Sequence, residues 1–266
     1  MDLGNGSLAT PYSVIRLSVT GSTQDDASRA YRGRPVVVIS DRQEYGRGRR
    51  DRTWITAAGA VAVSVACEPR WPVDRWGLLS LLAGLQAART LGGEVSLKWP
   101  NDLLVGDEKV GGVLVEAAGG VAVAGCGINL WWPDSPRGMT GLDDHPPSAS
   151  RRDEIANAWA EGFLEAALDP GGGGFSLDDY RSRCVTLGQW VTWGTQSAGR
   201  AVGISSGGEL VVETAAGRRR LRAEEVYHNR GAPGEDLPRA RVWGAGGWEA
   251  KNPARRSRAS MAASSS

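Results

Sequence analysis

Lys98-Trp99-Pro100-Asn101-Asp102 is followed by Lys109, a Gly111-Gly112 pair and an apolar run ending at Glu116. Two lysines, an amide and the carboxylates of Asp102 and Glu116 thus share one short stretch. Trp99 to Asp102 is turn chemistry, because proline fixes one φ and Asn and Asp close turns through their side chains. Leu103 to Val105 and Val110 to Val115 read as short strands around a Gly106-Asp107-Glu108 loop. Lys109 then sits where the return strand begins, held firmly enough to meet negative charge brought to it. Taken alone, the stretch reads first as an ordinary hairpin with a solvated lysine.

A second cluster lies upstream, in Gln43-Glu44-Tyr45-Gly46-Arg47-Gly48-Arg49-Arg50-Asp51-Arg52-Thr53-Trp54. Glycines let backbone approach a ligand closely, and arginines offer planar forks to carboxylate or phosphate oxygens. The segment suits neither helix nor strand. Composition leaves three readings open: a cationic loop that folds over a small anion, a solvated basic loop, and an RGG-like nucleic-acid contact.

The elements that must position these clusters follow from periodicity. Val14–Val19, Val36–Ser40, Ala60–Cys67 and Val121–Leu130 are expected strands. Ser22-Thr23-Gln24-Asp25 opens a capped helix towards Ala30, and helices are expected over Val73–Leu91, Asp153–Leu168 and, briefly, Leu177–Arg183. Beyond Gly171–Gly174 come short strands at Gln189–Trp193, Arg200–Ser205, Glu209–Thr214 and Arg219–Arg222, spaced for a small barrel. The expected organisation is α+β: a lead-in (1–13), a catalytic domain of mixed sheet and helices (14–183), a small β-barrel C-terminal domain (184–230) and a disordered tail rich in Gly, Pro, Arg and Ser (231–266).

A formal charge of +1 gives the whole molecule no bias towards nucleic acid or membrane. The three cysteines, Cys67, Cys126 and Cys184, lack CxxC spacing and read as buried thiols. Two histidines, His145 and His228, are too few for a zinc site. With neither a signal segment nor an apolar run of spanning length, a cytoplasmic location is expected.

Ser22-Thr23-Gln24-Asp25, Gln43 with GRGRRDRTW, KWPND from Lys98, Lys109 with GGVLVE, and GCGIN from Gly125 resemble, in order and spacing, the biotin protein ligases. The resemblance runs over roughly residues 14 to 230. It implies activation of biotin by ATP to biotinyl-5′-adenylate, then transfer to one lysine of a biotin carboxyl carrier domain. By that resemblance Lys109 meets the biotin carboxylate and the α-phosphate, with Arg47 and Arg49 holding carboxylate and phosphate and Arg50 and Arg52 beside them. Ser22, Thr23, Gln24 and Gln43, with Gly111, surround biotin. Trp54, Asn101 and Asn129 face the nucleotide, and Asp102 orients the acceptor amine and stands nearest a Mg²⁺ ion. A lysine about 4 Å from the reacting oxygens is worth on the order of 4 kcal/mol at an effective dielectric near 20.

The sequence departs from the family pattern at Asp51, where the loop usually has glycine, and the expectation is a loop that closes less tightly. Only about twenty residues precede Ser22, too few for the helix-turn-helix repressor domain of some members, so no DNA binding is expected. A homodimer is compatible with the sequence. A lipoate or octanoate ligase of related fold, and a nucleic-acid module using the basic loop, are the rival readings.

Overall fold

A computed structural model describes residues 12–50, 52–194 and 197–223, and the backbone of 226–228. The expected tail 231–266 and Asp51 lie outside these residues, as does the lead-in up to residue 11.

Seven strands form the main sheet, in the order β1-β2-β5-β9-β8-β7-β6. They are β1 (Ser13–Thr20), β2 (Val36–Gln43), β5 (Gly59–Cys67), β6 (Val95–Lys98), β7 (Asp102–Val105), β8 (Glu108–Ala118) and β9 (Val121–Trp131). β1 pairs in parallel with β2 and the remaining pairs are antiparallel. Side chains alternate across a strand, so Val37, Ile39, Val61, Val63 and Val65 face one side with Ala124, Cys126 and Ile128. These residues join the helices α2 (Leu79–Leu91) and α3 (Ala149–Leu168) in the larger core. Each fully buried aliphatic side chain there stabilises by roughly 1.5–3 kcal/mol. The opposite side packs α1 (Thr23–Ala30) through Ala27 on Val36, Val38, Ala66 and Val123.

Several boundaries differ from expectation, each for a local reason. Val73–Leu91 is not one helix: Val73–Leu78 is a 3-10 turn entered from Pro72, and only Leu79–Leu91 is α-helical. α3 starts at Ala149 rather than Asp153, because Ser148 Oγ caps it by accepting from Arg151 N at 3.1 Å. β6 was not expected; four residues are too short to show a period. The arginine-rich segment does form strand, in a two-residue ladder of β3 (Gly46–Arg47) and β4 (Thr53–Trp54), because glycine and backbone pairing override weak propensity.

After α4 (Leu177–Arg183), a five-stranded antiparallel sheet runs in the order β13-β12-β11-β10-β14. Its strands are β10 (Trp190–Trp193), β11 (Ser197–Ile204), β12 (Leu210–Thr214), β13 (Gly217–Leu221) and β14 (Val226–His228). Among the described residues no pairing joins β13 to β14. Trp99 ties this sheet to the first: its backbone N donates to Thr186 Oγ1 at 2.9 Å and its indole Nε1 to Gly208 O at 3.0 Å.

Candidate active site

The two clusters read from the sequence meet in one cavity of ≈ 390 Å³ above the α1 side of the main sheet. Its floor is sheet with little side chain. Gly125 and Gly127 alternate with inward-facing Cys126 and Ile128, so both glycines fall on the cavity face, opposite Leu114 and Gly112 of β8. A Cβ on Gly127 would meet the Trp54 ring at 2.8 Å, and one on Gly125 would collide with Gln24 Oε1. The GCGIN motif is therefore a surface on which Trp54 and Gln24 rest.

Lys109 reaches this face through an irregularity. The β7–β8 register shifts between Leu103 and Leu104, leaving Val110 as an extra residue between Lys109 and Gly111. The bulge lets Lys109 share a face with Gly112, three positions on, where strict alternation would turn them apart. Lys109 Nζ donates to Asp102 Oδ1 at 2.6 Å and lies 5.4 Å from the Trp54 ring centroid. Its backbone is held on both sides, with Lys109 N donating to Gly138 O at 2.9 Å and Thr140 N donating to Lys109 O at 3.0 Å.

Asn101 is pinned to β8: its Nδ2 donates to Val113 O at 3.0 Å, and its backbone O accepts from Val113 N at 2.9 Å. Its Oδ1 faces Arg49 Nη1 at 3.5 Å, a long contact. The other end of the cavity is polar but uncharged. Gln43 Oε1 accepts from Thr23 N at 2.9 Å and Thr23 Oγ1 at 3.0 Å, and Thr23 Oγ1 lies 2.8 Å from Ser64 Oγ. Ser22 caps α1, accepting from Asp25 N at 3.4 Å. Gln24 Oε1 is buried with no hydrogen-bond partner among the described residues.

Ser22, Thr23, Gln24, Gln43, Arg47, Arg49, Arg50, Arg52, Trp54, Asn101, Asp102 and Lys109 all line the cavity. Gly111 does not; a Cβ there would press on Gly127 O at 2.8 Å and Leu103 Cδ1 at 2.9 Å, so its smallness serves strand packing. Asn129 also stands apart from the lining, fully buried with neither amide atom partnered among the described residues. Among the described residues of the arginine loop, Arg50 has left-handed backbone, at φ 57°. Ser64 and Met139 line the cavity and were missed. The signal for Ser64 was a lone hydroxyl in the apolar run of β5; Met139 had none. Burial pushes the Cys67 thiol up to about 12 and raises Cys126 well above the ordinary thiol range, which suits both to packing rather than nucleophilic work.

Among the described residues no group of three or more His, Cys, Asp and Glu could hold a metal ion. Nor is any helix there long and apolar enough to cross a membrane.

The family model described as "Biotin/lipoate A/B protein ligase family" matches residues 16–131. The biotin--[acetyl-CoA-carboxylase] ligase of Mycobacterium tuberculosis is 32% identical over 235 residues, which span 79% of this chain and 87% of that protein. The chain belongs to the biotin protein ligase family. The corresponding ligase of Paracoccus denitrificans is 32% identical over 217 residues, 71% of this chain and 89% of that one. In fold, the chain is similar to biotin protein ligase from Aquifex aeolicus, solved in complex with biotin and ATP. That likeness has a TM-score of 0.68 at 23% identity and covers 82% of this chain and 99% of the other. The segments that carry the resemblance converge here: KWPND supplies the turn carrying Asn101 and Asp102, and GCGIN supplies the floor.

Proposed function

We propose that the chain is an ATP-dependent biotin ligase that forms biotinyl-5′-adenylate and passes biotin to one lysine of a biotin carboxyl carrier domain of an acyl-CoA carboxylase. The observation that carries this reading is the approach of Lys109, Asp102, Asn101 and Arg49 at one end of a cavity whose other end is neutral and polar. A fused, uncharged ureido ring suits Ser22, Thr23, Gln24 and Gln43, which offer donors and acceptors without charge. The valeryl chain lies over the glycine floor, with its carboxylate towards Lys109.

In the first step a biotin carboxylate oxygen attacks the α-phosphorus of ATP, the bond to the β-phosphate oxygen breaks, and pyrophosphate leaves. Carboxylate and polyphosphate repel each other, and Lys109 and Arg49 offset that repulsion where the new P–O bond forms. Arg50 and Arg52 face the phosphates from the loop, Trp54 walls the adenine, and Asn101 serves the nucleotide end, while Asn129, buried away from the cavity, keeps no ligand role. In the second step the acceptor ε-amine attacks the acyl carbon. An amide bond forms, the acyl–oxygen bond to phosphate breaks, AMP departs, and the amine loses its proton. Asp102 orients that amine. The mixed anhydride is already activated, so no protein nucleophile is needed and positioning carries much of the rate.

Mg²⁺ enters with ATP. Such an ion would shield the phosphate charge, and Asp102, whose Oδ1 accepts from Lys109, is the carboxylate that would stand nearest it. Residues 14–183 form the catalytic part in this reading, and 184–230 a small C-terminal part coiled towards a barrel.

The test is incubation of the purified chain with biotin, ATP, Mg²⁺ and a carrier domain, with intact-mass detection. One added biotinyl group, and ATP–pyrophosphate exchange that needs biotin, are expected. Exchange supported by lipoate instead would move the chain to the lipoate branch of the family. Salt-sensitive oligonucleotide binding without exchange would favour the nucleic-acid reading.

A further inference from the structure

Arg47 does not turn its guanidinium into the cavity it lines. Its Nη1 lies 3.1 Å from Glu116 Oε1, and its Nη2 lies 2.6 Å from Glu116 Oε2 and 2.9 Å from Asp25 Oδ1. This is a two-pronged carboxylate pair with a second carboxylate alongside. Glu116 Oε2 also accepts from Gln24 Nε2 at 3.1 Å. Two carboxylates around one guanidinium leave the trio net negative, so this corner disfavours a further anion. Arg47 pairs backbone with Thr53 and Gly46 with Trp54, so whatever fixes Arg47 fixes the β3–β4 ladder and the Trp54 ring over Gly127.

We propose that Glu116 and Asp25 are positioning residues. Through Arg47 they clamp the loop, with Trp54, over the cavity, and so set how long an acyl adenylate stays bound. Arg47 is then a strut, and Arg49, turned to Asn101, meets the ligand with Arg50 and Arg52 beside it. The inference rests on the ligase reading above. All three side chains are between 41% and 46% exposed, so the clamp is weak enough to open for exchange and sensitive to salt.

Two independent variants, Glu116→Gln and Asp25→Asn, test the clamp in the intact chain by two readouts. Limited trypsin digestion follows cleavage after Arg47, Arg49, Arg50 and Arg52. Release of adenylate preformed from biotin and ATP is timed by filtration. Both variants should be cut about fivefold faster and release adenylate about fivefold faster, the change expected for losing an exposed charge pair. Saturated adenylate formation should change less than release does, and Glu116→Asp should recover most of the protection. Raising salt on the unaltered protein should speed cleavage in the same direction. Unchanged cleavage and release would overturn the clamp, and so would slowed adenylate formation with unchanged release. If the unaltered chain makes no adenylate from biotin, the ligase reading fails, and the trypsin arm alone still decides the clamp.

Discussion

Lys109 Nζ and Asp102 Oδ1 stand 2.6 Å apart on the cavity face of the β7–β8 pair, brought there by one extra residue in β8. In the proposed reaction the carboxylate that holds the lysine also orients the incoming amine. Lys109→Ala should cut adenylate formation by about 10²–10³-fold, as for loss of one charge-stabilising donor. Asp102→Asn should slow transfer to the carrier lysine more than it slows adenylate formation. Single-turnover measurement of the two steps separates these outcomes, and equal slowing of both by Asp102→Asn would assign that residue to positioning Lys109 alone.

Gly127 faces Trp54 so closely that any side chain there displaces the indole. Gly127→Ala should raise KM for ATP about tenfold and destabilise the fold by roughly 1–3 kcal/mol, as overpacking does. An ATP titration of pyrophosphate exchange checks the first figure and urea unfolding the second. A KM change confined to biotin would place the indole against the other substrate.

Trp99 is fully buried and carries the bond to Gly208 O, so it couples the KWPND turn to the C-terminal sheet. Trp99→Phe removes that donor and should cost about 1–3 kcal/mol, or several degrees in Tm. Thermal unfolding by circular dichroism measures this. A shift under about one degree, well below that scale, would show that the two sheets hold together without the indole bond.

Asp179 on α4 accepts from Arg183 Nε at 2.9 Å and from Arg89 on α2 at 2.8 and 3.0 Å. The Arg183 hydrogen bond acts most strongly on its carboxyl; burial opposes it, and the Arg89 bonds and both arginine charges bring the balance below the usual range. A carboxyl lowered in the folded state contributes stability that is present at neutral pH and lost as pH falls through the folded value. Asp179→Asn should therefore lower Tm by about 2–4 °C near neutral pH, with the gap to the unaltered protein closing below the ordinary value of 3.8. A gap that persists in acid well below that value would mean the loss is packing and not charge.

The buried strands β2, β5 and β9 were legible in the sequence because their apolar runs are long and bounded by turn residues. The cavity's contributors were legible because KWPND, the arginine loop and GCGIN are rich in residues that ordinary strands avoid. What escaped the sequence depends on register and on distant contact. The Val110 bulge that aims Lys109 leaves no trace in composition, since GGVLVE reads as a plain strand. The pairing of Arg47 escaped because its partners, Asp25 and Glu116, lie 22 and 69 positions away. The 3-10 entry to α2 was hidden because Val73 fits the apolar period although it is 76% exposed.

Met139 lines the cavity and bridges to Lys109 through the backbone of its neighbours. The chain has three methionines, Met1, Met139 and Met261, and the other two stand near its ends. A ¹³C-methyl label on methionine thus places a single spectroscopic reporter beside Lys109, with no engineered probe and no change to the cavity wall.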